Sequence, residues 1–204
     1  MIKHHRTDQL LMGYAAGVLP EAFSLVAATH ISMCDDCRAR LATFEAVGGA
    51  VLEEGAIAMA GGAEACLARA AARPATPRRI EGGPLRDYIG GDLSAVKWRP
   101  LGMGVRQAIL PTSRAASARL LYIPAGVAVP DHGHRGIELT LVLQGAFRDS
   151  EDRFGVGDLE IAGEELQHIP VAEAGLDCIC LAATDAPLRF KDWMPRVLQP
   201  IFRI

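Results

Sequence analysis

Three side chains that bind soft metals fall within eight residues of this chain: His30, Cys34 and Cys37, in the stretch Thr29-His30-Ile31-Ser32-Met33-Cys34-Asp35-Asp36-Cys37-Arg38. The spacing His-x3-Cys-x2-Cys supplies three ligands, and a tetrahedral structural zinc site takes four. The fourth must come from elsewhere. The other histidines are His4 and His5 near the start, and His132, His134 and His168 far downstream. His5 is the choice, with His4 as the adjacent alternative.

The flanking sequence reads as three helices. Residues 7–17 carry Leu10, Leu11, Tyr14 and Ala15 on one side, with Thr7 or Asp8 as N-cap and Gly17 as stop. Pro20 suits the first turn of a second helix, on which Ala22, Leu25, Val26, Thr29 and Met33 form a buried stripe with His30 at its edge. If Cys34 ends that helix and Asp35-Asp36 cap the next, Cys37 lies in a first turn, where the helix dipole favours a thiolate. Leu41, Phe44, Val47 and Val51 extend the third helix, and Gly48-Gly49 weakens it. A unit of about 50 residues has a small core, and such units commonly recruit a metal. Zinc is then expected to be a folding element, bound and folded in one equilibrium.

The 204 residues carry a net charge of −3, with no basic excess in either half. Direct nucleic-acid binding is therefore not expected. The start has no apolar run of signal-peptide length, and the most apolar region, 46–65, is broken by Glu53, Glu54 and Glu64. No membrane association is expected, and the expected location is the cytoplasm. An odd number of cysteines, five, with two in a metal-like spacing, agrees with a reducing compartment.

The expected division is a helical domain over 1–60, an Ala, Gly and Pro-rich linker over 61–84 and a β domain over 85–204. The linker holds Arg78-Arg79, read as a solvated patch, Cys66, read as an incidental thiol, and an Ala-rich stretch over 63–73 able to form a short helix. Beyond Leu85, short apolar alternations are separated by Gly, Pro and Asp turns, the pattern of a barrel or sandwich. Expected strands are 105–110, 118–123, 138–144, 146–149, 159–161, 167–170 and 177–183. Within them lies Asp131-His132-Gly133-His134-Arg135-Gly136-Ile137-Glu138, whose two histidines share a face. With Glu138 and His168 they make a mixture suited to zinc, iron, manganese, nickel or copper. Cys178 and Cys180 share one face of a strand and read as core. Trp98, Trp193 and Phe202 read as packing residues.

This second cluster resembles the cupin family. The first cupin motif, Gly-x5-His-x-His-x3-Glu-x6-Gly, is met by Gly126, His132, His134, Glu138 and Gly145 with every spacing intact. The second, Gly-x5-Pro-x-Gly-x2-His-x3-Asn, is met at Gly157 and His168. It departs at Gly163, Glu165 and Ala172, which stand in the proline, glycine and asparagine slots. The resemblance covers about 85–200 and implies a double-sheet jelly-roll barrel with a divalent metal inside, zinc first, with iron, manganese or nickel also compatible. The N-terminal part is similar to the zinc-binding anti-sigma domain, whose ligand order His5, His30, Cys34 and Cys37 match. Fusion of the two resembles the ChrR-type anti-sigma factors. That resemblance implies an α + β chain that binds an extracytoplasmic-function (group IV) sigma factor in a 1:1 complex, keeps it from RNA polymerase and so negatively regulates transcription, and releases it under singlet-oxygen stress. It implies no catalytic residues. A competing reading from another class is a metal-dependent cupin dioxygenase with a regulatory helical appendage, since a metal with open positions permits catalysis.

Overall fold

The computed structural model describes residues 2–5, 7–55, 62–72 and 83–190. Helix α1 (Asp8–Ala15) starts at Thr7, whose side chain accepts from the Leu10 N–H, and the chain leaves it through Gly17 at φ 68°. Helix α2 (Glu21–Met33) follows Pro20 and ends at Cys34. Cys34 is also the N-cap of α3 (Asp35–Glu54), its sulfur accepting from the Cys37 N–H at 3.5 Å, so one cysteine closes one helix and opens the next. Asp35 and Asp36 fill the first turn of α3, where their charge meets the positive end of the helix dipole. The helix runs unbroken through Gly48-Gly49. Helix α4 spans Gly62–Ala72, and the short α5 (Arg86–Ile89) and a 3₁₀ turn at Leu93–Ala95 lead into the strands.

The strands are β1 (Arg99–Gly102), β2 (Val105–Leu110), β3 (Ser117–Ile123), β4 (His132–Gly133), β5 (Glu138–Gln144), β6 (Ala146–Arg148), β7 (Arg153–Gly155), β8 (Leu159–Ala162), β9 (Gln167–His168), β10 (Val171–Ala172), β11 (Cys178–Thr184) and β12 (Arg189–Phe190). One six-stranded sheet has the order β1-β2-β3-β11-β5-β8, and two three-stranded sheets have the orders β10-β6-β7 and β12-β4-β9. Among the described residues no sheet closes on itself, so the expected closed barrel is a β-sandwich here. The turn 163–166, where the second motif departs from its pattern, still closes through Leu166 N–H to Gly163 O at 3.2 Å and delivers β9. Gly145, which ends the first motif, joins β5 to β6 at φ 69°, and a Cβ there would lie 2.7 Å from the Asp177 carbonyl oxygen, so only glycine fits.

Alternation on the large sheet sorts its two faces. Val105, Ile123, Val142, Cys178 and Cys180 point inward and pack on Phe147, Phe154 and Ala172 of the facing small sheet. Leu120, Leu139, Leu141, Leu181 and Ala183 point outward, and they are covered by Ala22, Phe23, Leu25 and Val26 of α2. Glu21 fixes that helix at its start, its carboxylate accepting from Tyr88 Oη at 2.9 Å and from the Ser113 N–H at 2.7 Å. The opposite side of α2 closes a smaller core with Leu11, Ile31 and Leu41 around Cys34 and Cys37. Met33, expected in the buried stripe, is exposed. In the expected linker, 62–72 forms the short helix, whereas the side chain of Cys66, Arg78-Arg79, Trp193 and Phe202 lie outside the described residues. Trp98 packs against the outer core with its ring 5.7 Å from that of Tyr122. No described helix is long and apolar enough to cross a membrane.

Candidate metal centres and relatives

The first donor set is assembled by the α2–α3 junction and the segment that precedes α1. His30 sits in the last turn of α2, Cys34 at the cap and Cys37 in the first turn of α3, and all three are buried. The half-buried His5 completes the set, with Nδ1 3.3 Å from Cys34 Sγ and 3.8 Å from Cys37 Sγ. His30 Nδ1 donates to the carbonyl oxygen of Gly157 at 2.9 Å, which leaves Nε2 as the lone-pair nitrogen, 3.2 Å from Cys37 Sγ. Zinc bonds of about 2.0–2.3 Å to nitrogen and sulfur give a tetrahedron with edges of about 3.3–3.8 Å, so the four donors fit a single ion. The alternative, His4, is turned away: its Nε2 lies 3.0 Å from Asp152 and its Nδ1 3.6 Å from Asp158.

The second donor set lies inside the sandwich. Strands β4 and β9 pair with His132 directly opposite His168, and His134 follows two residues on from His132, facing the same way. All three imidazoles are buried, and each offers a nitrogen within 4.8 Å of the others. Their tautomers converge. His132 Nδ1 donates to the Pro130 carbonyl at 2.8 Å and His168 Nδ1 to Asp149 at 2.8 Å, which makes Nε2 the lone-pair nitrogen of each ring. His168 Nε2 is 3.4 Å from His134 Nε2, about the edge of a metal polyhedron. Glu138, the carboxylate of the first motif, is buried beside this set without entering the cluster of three. Its Oε2 lies 3.8 Å from His134 Nδ1, which has no hydrogen-bond partner among the described residues. Burial lowers the pKa of His132 and His134 against the pull of Glu138, and so favours the neutral, ligating form.

Two carboxylates that carry no spacing signal stand behind this set. Asp149, in the β6–β7 turn, and Glu160, on β8, both face His168 Nδ1, at 2.8 and 3.2 Å. Burial alone would lower His168, yet hydrogen bonds to Glu160 and Asp149 outweigh it and carry the pKa to about 9. Burial pushes Glu160 up to about 7 despite the same histidine. The only hint of Glu160 in the sequence is a charge at an inward position between Leu159 and Ile161, with small Ala162 beside it on the same face. Cys178 and Cys180 are core, as expected: both are buried, 3.5 Å apart, and the neighbouring thiol together with burial pushes Cys180 well up, so it stays a thiol.

Comparison with known proteins follows this division. The family described as the ChrR Cupin-like domain matches residues 87–186. The anti-sigma-E factor ChrR of Cereibacter sphaeroides is 62% identical over 211 residues, covering 100% of this chain and 99% of the relative. A crystal structure of Rhodobacter sphaeroides SigE in complex with the anti-sigma ChrR superposes with a TM-score of 0.80 at 62% identity, over 91% of this chain and 100% of the other. With its helical metal-type junction, its cupin-like sandwich and a relation that spans its full length, the chain belongs to the ChrR family of anti-sigma factors.

Proposed function

We propose that this chain binds and inhibits an extracytoplasmic-function sigma factor in the cytoplasm, one copy to one, through its helical domain over 1–60. It does not itself contact nucleic acid. One observation carries the reading in this structure: the second half of α3 exposes large apolar side chains that no described residue covers. Val47 and Val51, one turn apart, are 58 and 65% exposed, and the adjacent Leu52 is 70% exposed. The relative that superposes on this chain was solved with a sigma factor bound. In the proposal His5, His30, Cys34 and Cys37 hold a structural zinc that fixes the angle between α2 and α3 and so presents those side chains. A closed site of this kind supplies folding energy and no reaction.

Co-expression of the full chain with the sigma factor encoded beside it should yield a 1:1 complex on size exclusion. Val51→Asp places a charge in the apolar contact and should weaken binding about tenfold or more while leaving metal content unchanged. Absence of any complex with the unaltered chain would refute the function. Binding by the variant at full strength would refute the docking face.

The cupin domain, 85–204 after the linker 61–84, is the responsive half in this proposal. His132, His134, His168 and Glu138 hold a second divalent metal, which would supply a coordinated centre open to small oxidants. Singlet oxygen acting there lowers the affinity for sigma. His132→Ala and Glu138→Gln chains should hold sigma in unstressed cells and fail to release it on singlet-oxygen exposure, and a normal transcriptional response in both would remove the cupin from the pathway. Counting metals separates this from the dioxygenase reading, which requires redox-active iron and oxygen uptake where the regulator requires zinc in both sets.

A further inference from the structure

The two donor sets are joined by one short stretch of chain. Residues 149–160, which comprise the β6–β7 turn, β7, the β7–β8 turn and the start of β8, touch both. At the cupin end, Asp149 and Glu160 face His168 Nδ1. At the helical end, the Gly157 carbonyl accepts from His30 Nδ1, and Asp158 Oδ1 accepts from the Lys3 and His4 N–H groups at 2.6 and 2.9 Å. The Leu159 N–H donates to the His4 carbonyl at 3.2 Å, and Asp152 holds the His4 ring. The turn is tightly specified. Asp158 Oδ2 accepts from the Gly155 N–H, and Gly157, at φ 87°, lies so close to Ile2 that a Cβ would come within 2.6 Å of it. These contacts between residues 3–4 and the sandwich therefore fall one or two residues before a zinc-type ligand, His5, and one or two residues before Glu160.

We propose that residues 149–160 are a relay through which filling the cupin donor set strengthens metal binding by the helical set. The inference rests on the reading that both sets hold metal, and it names the route by which the cupin domain informs the helices. A metal on His168 Nε2 fixes the ring, and so fixes Asp149 and Glu160 against its Nδ1–H. Those two carboxylates sit at the two ends of the segment 149–160, and holding both ends holds the Gly157 carbonyl against His30 and the Asp158 carboxylate against residues 3–4. His30 and His5 are then presented to Cys34 and Cys37 without further ordering. Emptying the cupin set frees the segment, and the helical ligands must be ordered at their own cost. Linkage makes the effect reciprocal.

The test uses the full chain, without sigma factor, and cobalt(II) as probe. Cobalt bound by thiolates has a sulfur charge-transfer band that an all-histidine and carboxylate set lacks, so the helical set can be titrated separately. Its affinity should fall about fivefold or more in His132→Ala, whose cupin set is disabled, relative to the unaltered chain. Asp158→Ala should show the weakened affinity with its cupin set full. Equal affinity in the unaltered and His132→Ala chains overturns the relay, as does a chain whose cupin set takes up no cobalt. Because Asp158→Ala loses buried hydrogen bonds, a second arm uses the unaltered sequence. Amide exchange at Lys3, His4 and Leu159 should slow about fivefold or more when the cupin set is filled in protein already loaded at the helical set. Unchanged exchange overturns the relay. Neither arm involves the sigma factor, so a failed relay and a failed sigma complex are separate results.

Discussion

Three of the imidazoles proposed as ligands, His30, His132 and His168, are aimed by what their Nδ1 atoms hold. A carbonyl does this for His30 and for His132, whereas His168 is held by the carboxylate of Asp149, whose side chain is wholly buried. Such partners set the tautomer and the basicity of the ligand, and their loss typically costs about 10–100-fold in metal affinity. Asp149→Asn keeps the volume and removes the charge, so it should weaken metal binding at the cupin set by about that factor, and through residues 149–160 it should weaken the helical set by the smaller factor of about five. Competition against a graded chelator on the full chain reads both, and unchanged cupin affinity would show that Glu160 alone orients the ring. At this scale much was legible. His30, Cys34, Cys37, His132 and His134 are found by spacing, because i, i+3 and i, i+4 on helices and i, i+2 on strands fix which side chains meet, whereas His168, on a later strand, is reached through its likeness to the second motif. His5 against His4 was not, since both lie on an extended segment without period, and it is Asp152 and Asp158, about 150 residues away, that draw His4 aside. Glu138 shows another limit. Motif spacing brings it to the site, yet the contact it makes is with His134 Nδ1, a detail of rotamer that spacing does not encode.

Short elements owe their order to side-chain clamps. Strands β6 and β7 are three residues each, and they are tied to the residue after β10 by Glu173, which accepts from Arg148 at 2.8 Å and from Arg153 in a two-pronged pair at 2.8–3.0 Å. Hydrogen bonds from Arg153 and then Arg148 bring the Glu173 pKa down from 4.5 to about 2. A carboxyl depressed in the folded state stabilises it fully above the unfolded value, and that contribution is lost as pH falls through the folded value. The clamp is therefore complete above about pH 5 and lost as pH falls toward 2. A side-chain NMR titration should place Glu173 near 2, and Arg153→Gln should bring it back toward the ordinary range. A titration near 4.5 in the unaltered chain would show that the clamp does not persist in solution. The longer elements, β2, β3, β5 and β11, could be read from alternation, because six or seven residues display a period of two. Of the strands of two to four residues, β6, β8 and β9 fall on expected stretches, whereas β1, β7, β10 and β12 do not, since their pairing is set by partners distant in sequence. In α3 the pair Gly48-Gly49 reads as a weak point, each glycine costing about 1 kcal/mol against alanine. The helix continues because no competing cap or turn follows until Gly55.

On the scale of the whole molecule, the helices and the sandwich share one core. Sequence patterning gives α2 one buried stripe but does not say against what it packs. The structure buries two sides: Ala22, Phe23, Leu25 and Val26 face the outer side of the large sheet, while Ile31 faces α1 and α3. The zinc-type junction lies at the end of this helix, where the Gly157 carbonyl of the segment 149–160 meets His30. A helical unit excised after residue 84 would expose the sheet-facing side of α2 to water. Phe23 is the largest side chain on that side and is buried. Phe23→Ala should destabilise the full chain by about 3–5 kcal/mol, with the loss felt on both sides of the contact. In denaturant-dependent amide exchange, the slow amides of α2 and those of β5 and β11 should open together in the unaltered chain and shift together in the variant. If α2 alone becomes fast while β5 and β11 keep their protection, the helices and the sandwich are independent folding units. A signal from the cupin metal would then have to reach the helices through residues 149–160 alone, without help from the packed sheet.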